Sequence, residues 1–277
     1  MKYIILALIL LIFSVYGTSG LSITIGETTY NNPEYKKAVM DYFQSKTDKN
    51  IKDVNIEIIT AQDVNRISED VTGKVYNPDQ IFSCAMVDLD NDNLTIVVDE
   101  SKIKNVTPQM YANSLKSAGI EKGYVVVSSP LSVSGETALM SIFRSYEILI
   151  GAKIPDDVKK ASLKEMYLQT KLVNETGEDG DTIAQLISEV KNSTESEDID
   201  DTQKIKEKVT QTADKLDIDL TNTQIEEISQ VIANSQKVHG LATNFKKKYK
   251  TRSAGLEDQL YSWLQSRYDY LIDLLST

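Results

Sequence analysis

Residues 128–139 read Ser-Ser-Pro-Leu-Ser-Val-Ser-Gly-Glu-Thr-Ala-Leu. An apolar run, Tyr124-Val125-Val126-Val127, leads into this stretch, and a helical pattern leads out of it. A polar turn between a strand and a helix start is suited to chemistry. The first N–H groups of a helix have no partner within it, and its dipole is positive there. Ser132, Ser134, Gly135 and Thr137 are therefore candidate ligand-binding residues, offering hydroxyls and a glycine that lets a ligand approach the backbone. Plain helix capping uses the same serines. Glu136 adds a negative charge that competes with a bound anion. A nucleophilic serine is the sharper alternative, but Ser132-Val-Ser-Gly-Glu136 does not match the esterase elbow Gly-x-Ser-x-Gly.

A serine hydrolase also needs a base, and His239 is the only histidine. It falls on the apolar stripe of a helix, which predicts a packed or partly buried side chain. A Ser134–His239–Asp triad finds no local support. Cys84, the only cysteine, alternates with Phe82 and Met86 on a strand and reads as core. One Cys and one His cannot build the usual zinc set. Asp88, Asp90 and Asp92 occupy the first, third and fifth positions of a calcium loop, which makes calcium the candidate metal. However, Asn93 stands where that loop needs Gly, Asp99 where Glu is usual, and strands flank it in place of helices. No Gly-rich phosphate loop or dinucleotide fingerprint follows a strand. These patterns assign no catalytic residue and no other cofactor.

The elements that must position these residues belong to a chain of 277 residues, 41% hydrophobic and 26% charged, within the globular range. Its formal net charge of −11 opposes nucleic-acid binding, which requires a basic face. Met1-Lys2, an apolar run from Ile4 to Val15, and Gly17-Thr18-Ser19-Gly20 have the layout of a secretory signal peptide over residues 1–20. Cleavage is expected after Gly17 or Gly20. The run is too short for a comfortable membrane span, so membrane contact is expected only through this segment if it is uncleaved. With a single cysteine, an exported chain has no internal disulfide. Asn93, Asn174 and Asn192 head glycosylation sequons compatible with export, and Asn105 heads a weaker one with Pro108 just beyond it.

From Pro33 to about Ile150 the pattern alternates between helix and strand. Asn32-Pro33 starts a helix, residues 55–59 read as a strand, and Thr60 caps a second helix. Residues 81–89 and 94–100 predict a hairpin around Asp90-Asn91-Asp92-Asn93. Thr107-Pro108 starts another helix, Tyr124 to Ser128 a central strand, and Ala138 to Ile150 a helix with a clean apolar stripe. After Gly151-Ala152 the strand signals stop. Helices are expected over 155–173 and 181–191, with an acidic loop near 193–203. A long helix opens at the capping box Thr221-Asn-Thr-Gln224, and a separate last helix carries Leu256 to Leu275. The predicted fold is an α/β unit, a mixed sheet with packed helices over residues 21–152, followed by an all-α helical region over 153–277.

The block "TPQMYANSLKSAGIEKGYVVVSSPLSVSGETALMSIFRSYE", residues 107–147, resembles the centre of a family of uncharacterised exported bacterial and archaeal proteins, domain-of-unknown-function family 1002 (DUF1002). Thr107, Met110-Tyr111, Ala118-Gly119, Ser129-Pro130 and Val133-Ser134-Gly135 carry the likeness. It extends to "NPEYKKAVMDYF" before and "LDIDLTNTQIEEI" after, so it covers most of residues 33–230. The family usually has a small residue where this chain has Glu136. The resemblance implies an exported protein and supplies no catalytic residues. The reading from sequence is an exported, non-catalytic protein, secreted or at the cell surface, that binds an extracellular or cell-surface partner. The alternative is an extracytoplasmic hydrolase using the Ser132–Glu136 turn.

Overall fold

The computed structural model describes the backbone of residues 20–275 and the side chains of residues 20–248. The expected leader lies outside the described residues, apart from Gly20.

Five strands form one sheet: β1 (Leu21–Gly26), β2 (Ile56–Ile59), β3 (Cys84–Asp88), β4 (Leu94–Val98) and β5 (Gly123–Ser128), in the order β2-β1-β3-β5-β4. The β1–β2 and β4–β5 pairs are parallel, and β3 is antiparallel to both β1 and β5. Four strands thus run one way, and their carboxyl ends share one edge. The sheet is mixed, as the sequence pattern predicts.

Two features of the sheet correct that pattern. First, the pattern opens at Pro33, yet β1 precedes it and is buried along its whole length in the middle of the sheet. Leu21, Ile23 and Ile25 pack on one face, while Thr24 reaches Ser145 on the other. Second, β3 and β4 do not pair as a hairpin. β5 lies between them, so Val126 has Met86 on one side and Val97 on the other. A strand as apolar as β5 is most stable with both edges covered. The five residues 89–93 suffice to step across one strand position, roughly 10 Å.

The helices are α1 (Glu27–Asn31), α2 (Pro33–Gln44), α3 (Ala61–Thr72), α4 (Pro108–Ser117), α5 (Ala138–Ile150), α6 (Asp156–Thr176), α7 (Gly180–Ser196), α8 (Thr202–Lys215) and α9 (Asn222–Leu275). Side-chain oxygens of Asn32, Thr60, Thr107, Asp179 and Asp201 accept backbone N–H groups at five of their starts, which fixes where each begins. The two last helices expected from sequence are one. α9 is continuous for 54 residues, passing through Gly255 without a break. An interior glycine costs only about 1 kcal/mol relative to alanine, too little to end a helix among good helix formers. Among the described residues, no helix is long and apolar enough to cross a membrane.

The core lies on both sheet faces. On one, Ala85, Val87, Val125 and Val127 meet α3, α4, α5 and α6, and the cluster reaches Ala242 and Phe245 of α9. On the other, Ile23, Ile25, Met86 and Val126 meet Val39 and Phe43 of α2. A further cluster joins α6, α7, α8 and α9 through Leu172, Ile187, Val209 and Ile232. α6 enters two clusters, with Met166 facing the sheet side and Leu172 the helical side, so it links the two halves.

Candidate functional site

In open α/β sheets, ligands bind outside the carboxyl ends of the strands. Here that edge carries Gly26, Ile59, Val98 and Ser128, and the 129–137 turn emerges from it. The turn does not cap α5 with Ser132 or Ser134. α5 begins at Ala138, and Thr137 precedes it without a side-chain cap. Instead the turn pairs with residues 102–105. Val133 N donates to Lys102 O (2.9 Å), Lys104 N to Val133 O (3.0 Å) and Asn105 N to Ser134 O (3.0 Å). Ser132 and Ser134 are exposed. Thr137 Oγ1 lies 3.3 Å from Ser83 Oγ, and Ser141 Oγ donates to Ser83 O.

Gly135 has φ 111°, and a Cβ there would sit 2.5 Å from Ile103 Cγ2 and 3.1 Å from Tyr111 Oη. Only glycine fits this conformation and this space. Tyr111 Oη donates to Gly135 O at 2.6 Å and is wholly buried. This clamp carries the turn inward, and Glu136 follows it with only 6% of its surface exposed.

The described residues contain five buried acids: Asp88, Asp99, Glu136, Glu147 and Glu165. Four are matched. Asp88 meets Lys49 at 2.6 Å, Glu147 meets Lys159 at 2.6 Å, and Glu165 meets Lys191 at 3.1 Å. Asp99 accepts from Ser128 Oγ (2.7 Å) and Ser101 Oγ (2.6 Å). Glu136 alone has neither a hydrogen-bond donor nor a counter-charge among the described residues.

Three phenols feel its charge. Tyr76 and Tyr167 are half-buried and share a hydrogen bond of 2.8 Å between their hydroxyls. Burial raises the Tyr111 phenol well above its ordinary range, and the Glu136 charge adds to this. Burial likewise raises Tyr167, as do its hydrogen bond to Tyr76 and the Tyr76 and Glu136 charges. Tyr76 is raised by burial and by Glu136, against the bond from Tyr167. Lys74 Nζ lies 5.1 Å from the Tyr167 ring centroid, at the exposed rim. Ser129 Oγ, at the end of β5 and buried, also lacks a hydrogen-bond partner.

The other sequence candidates lie elsewhere. Asp88 and Asp90 share Lys49, at 2.6 and 2.5 Å, while Asp92 pairs with Lys122 at 2.7 Å. The three do not converge, and no cluster of three or more His, Cys, Asp or Glu side chains suited to a metal occurs among the described residues. His239 is exposed, not packed. Val238 takes the inward position on α9, and His239 turns out beside it. Ser134 lies by Asn105, just before α4, whereas Ala242, one turn from His239, packs on Gly119 just after α4. Serine and histidine thus sit at opposite ends of a helix about 15 Å long. Cys84 is buried, and burial pushes its thiol up to about 12. Asn93, Asn174 and Asn192 are exposed, the last two within helices. Thr194, which completes the Asn192 sequon, is buried and donates to Lys191 O.

Sequence reasoning found Glu136 as a charge, but neither the Tyr111 clamp beside it nor the pairing of Tyr76 with Tyr167. Those tyrosines come from a loop and a helix far along the chain, and no local spacing announces them.

The chain is similar to the uncharacterized protein YpuA of Bacillus subtilis (strain 168), at 27% identity over 194 residues. The match covers 66% of this chain and 65% of the relative, just under two thirds of its length. No solved structure matches. The model of the family described as protein of unknown function (DUF1002) matches residues 25–251, and the chain belongs to that family.

Proposed function

We propose that the protein is exported and works by binding, without turnover, through the 129–137 turn at the carboxyl edge of the sheet. The leader pattern at residues 1–20 supports export. One observation carries the binding reading: among the described residues, Glu136 is the one buried acid with neither a hydrogen-bond donor nor a counter-charge. A fold that matches its other buried acids and leaves one unmatched keeps a group that a ligand can pair. The separation of Ser134 from His239 supplies no nucleophile–base pair at the turn, which weighs against the hydrolase alternative.

The test is a pair of assays on the full chain without its leader. One measures hydrolysis across ester, peptide and glycoside substrates, for wild type and Ser134→Ala. The other measures thermal shifts against cationic, neutral and anionic small molecules and against cell-wall fractions. Binding without hydrolysis is expected. Turnover that disappears in a folded Ser134→Ala variant would establish the hydrolase in its place.

A further inference from the structure

We propose that the distal half of α9 is an interaction surface for a second copy of this chain, the two helices pairing antiparallel about Leu260.

The face that pairs is set where α9 meets the body. Val238, Ala242 and Phe245 pack one face of α9 on the core beneath the sheet, and Lys246 pairs with Glu121 at 2.5 Å. Residues three and four apart share a face of a helix. Continued in those steps, the same face carries Tyr249, Leu256, Leu260, Leu264, Leu271 and Leu275. α9 runs unbroken to Leu275, so the face stays continuous. Residues 249–275 amount to about 40 Å of helix. An unbroken helix cannot fold back to cover its own stripe. Helices draw most of their stability from packing an amphipathic face, so a stripe of this length calls for a cover.

The stripe is self-complementary. Counted outward from Leu260, Leu256 matches Leu264, Tyr249 matches Leu271 and Phe245 matches Leu275. Two copies running in opposite directions, with Leu260 on their two-fold axis, therefore set apolar residues against apolar residues along the seam. In that register Arg252 comes opposite Tyr268, a cation beside an aromatic ring, and Arg267 comes opposite the small Ser253.

Charge fixes the direction. Between Ile228 and Leu256 the sequence of α9 has no acid, and Lys246, Lys247, Lys248, Lys250 and Arg252 follow closely on one another. Beyond them come Glu257, Asp258, Asp269 and Asp273, with Arg267 the only cation. Parallel pairing would lay the cations of one copy on those of the other. Antiparallel pairing lays them beside the segment of the second copy that bears Asp269 and Asp273, as charged flanks do in paired helices. The same acids disfavour a lipid surface as the cover, because helices that lie on membranes carry Lys and Arg on their polar face.

Analytical ultracentrifugation of the full chain without its leader, over a range of micromolar concentrations, tests this. A concentration-dependent dimer is expected. Leu260→Lys sets like charges on the two-fold axis and should weaken the dimer by roughly tenfold or more, with the far-ultraviolet spectrum unchanged. Cross-linking reads the direction, since Cys84 is buried. Leu260→Cys should link to itself on mild oxidation. A mixture of Leu256→Cys and Leu264→Cys should also link, while Leu256→Cys alone should not. A chain that stays monomeric, a dimer unaffected by Leu260→Lys, or efficient linking of Leu256→Cys to itself overturns the inference. So does a monomer that binds vesicles of anionic phospholipid and loses that binding in Leu260→Lys, which would make the stripe a membrane contact.

Discussion

The Lys191 ammonium of α7 lies 3.1 Å from both carboxylate oxygens of Glu165 in α6, with both side chains buried. The same ammonium donates to Asn113 O (3.1 Å) and to Ser117 Oγ in α4. Asn113 Nδ2 donates in turn to Gln169 Oε1 and to Ala184 O. One polar knot thus ties α4, which packs beneath the sheet, to α6 and α7. Lys191→Met leaves Glu165 buried without its counter-charge, with only the Ser117 hydroxyl donating to it (2.7 Å), and is expected to cost about 3–5 kcal/mol. Adding Glu165→Leu to it should recover most of that loss, since removing both charges avoids the desolvation penalty. Urea midpoints by circular dichroism decide this. A double variant no more stable than Lys191→Met would mean that the knot acts through shape and not through charge.

Two glycines separate steric from conformational need. A Cβ on Gly26 would sit 2.2 Å from Ile81 O, a backbone atom that cannot turn aside. Gly73 has φ +69° at the end of α3, with nothing within 4 Å of an added Cβ. Gly73→Ala is expected to cost about 1 kcal/mol, the penalty of a left-handed residue. Gly26→Ala should cost about 2–3 kcal/mol or more, because it forces two chain segments apart. Equal urea midpoints for the two variants would contradict this ranking.

The elements legible in the sequence are those with local signals. Asn32-Pro33, Thr60 and Thr107-Pro108 mark helix starts where the structure has them, because caps act within three residues. The apolar run of β5 and the stripe of α5 read correctly for the same reason. Strand order did not. Leu94–Val98 is a strand, but nothing in its residues says that β5 will come between it and β3. β1 escaped notice because it follows directly on the leader pattern. His239 lies outside the core because the stripe on α9 passes through Val238, one residue away and about 100° round the helix. The Tyr76–Tyr167 pair depended wholly on tertiary contacts, being brought together across 91 residues of chain.

Alkaline pH should weaken the fold through its phenols. Burial, then the charges of Asp99, Tyr124 and Glu100, push Tyr42 up to about 12 from 10.0. Tyr111, Tyr76 and Tyr167 shift in the same direction. A raised folded pKa means that the folded chain holds its proton where the unfolded chain has lost it. The contribution is therefore complete below about pH 10 and is lost as pH rises through about 12. Urea midpoints are expected to be level from pH 8 to 9.5 and to fall steadily above that. Tyr42→Phe should flatten part of the fall. A midpoint independent of pH up to 12 would refute this.

Cys84 should be silent in the folded chain. It is wholly buried on β3, donates to Phe82 O at 3.2 Å, and burial holds its thiol up at about 12. Thiolate is the reactive form, and almost none is present at pH 8. Labelling by a chromogenic disulfide reagent at pH 8 is expected to follow the global unfolding rate and to rise with urea as circular dichroism falls. Rapid labelling of native protein, with no change in its spectrum, would show that β3 opens locally.

The edge of β1 sets where the chain can begin. Leu89 N donates to Gly20 O at 2.7 Å, and Leu21 is buried and paired with Asp88 of β3. A chain starting at Thr18 keeps that carbonyl and places its terminal ammonium three residues before the strand. A chain starting at Leu21 loses the acceptor and sets a charged amine on a buried strand end. The Leu21 start is therefore expected to be less stable by about 1–3 kcal/mol. A start at Glu27, without β1, should not fold, since it removes a central strand and with it Ile23 and Ile25 from the core. Chains with these three termini, released from a cleavable fusion and compared by urea unfolding, test the ranking. If the chain is exported as proposed, removal of a leader after Gly17 is expected in preference to Gly20. N-terminal sequencing of the secreted chain checks this, and a mature terminus at Leu21 with undiminished stability would overturn the argument.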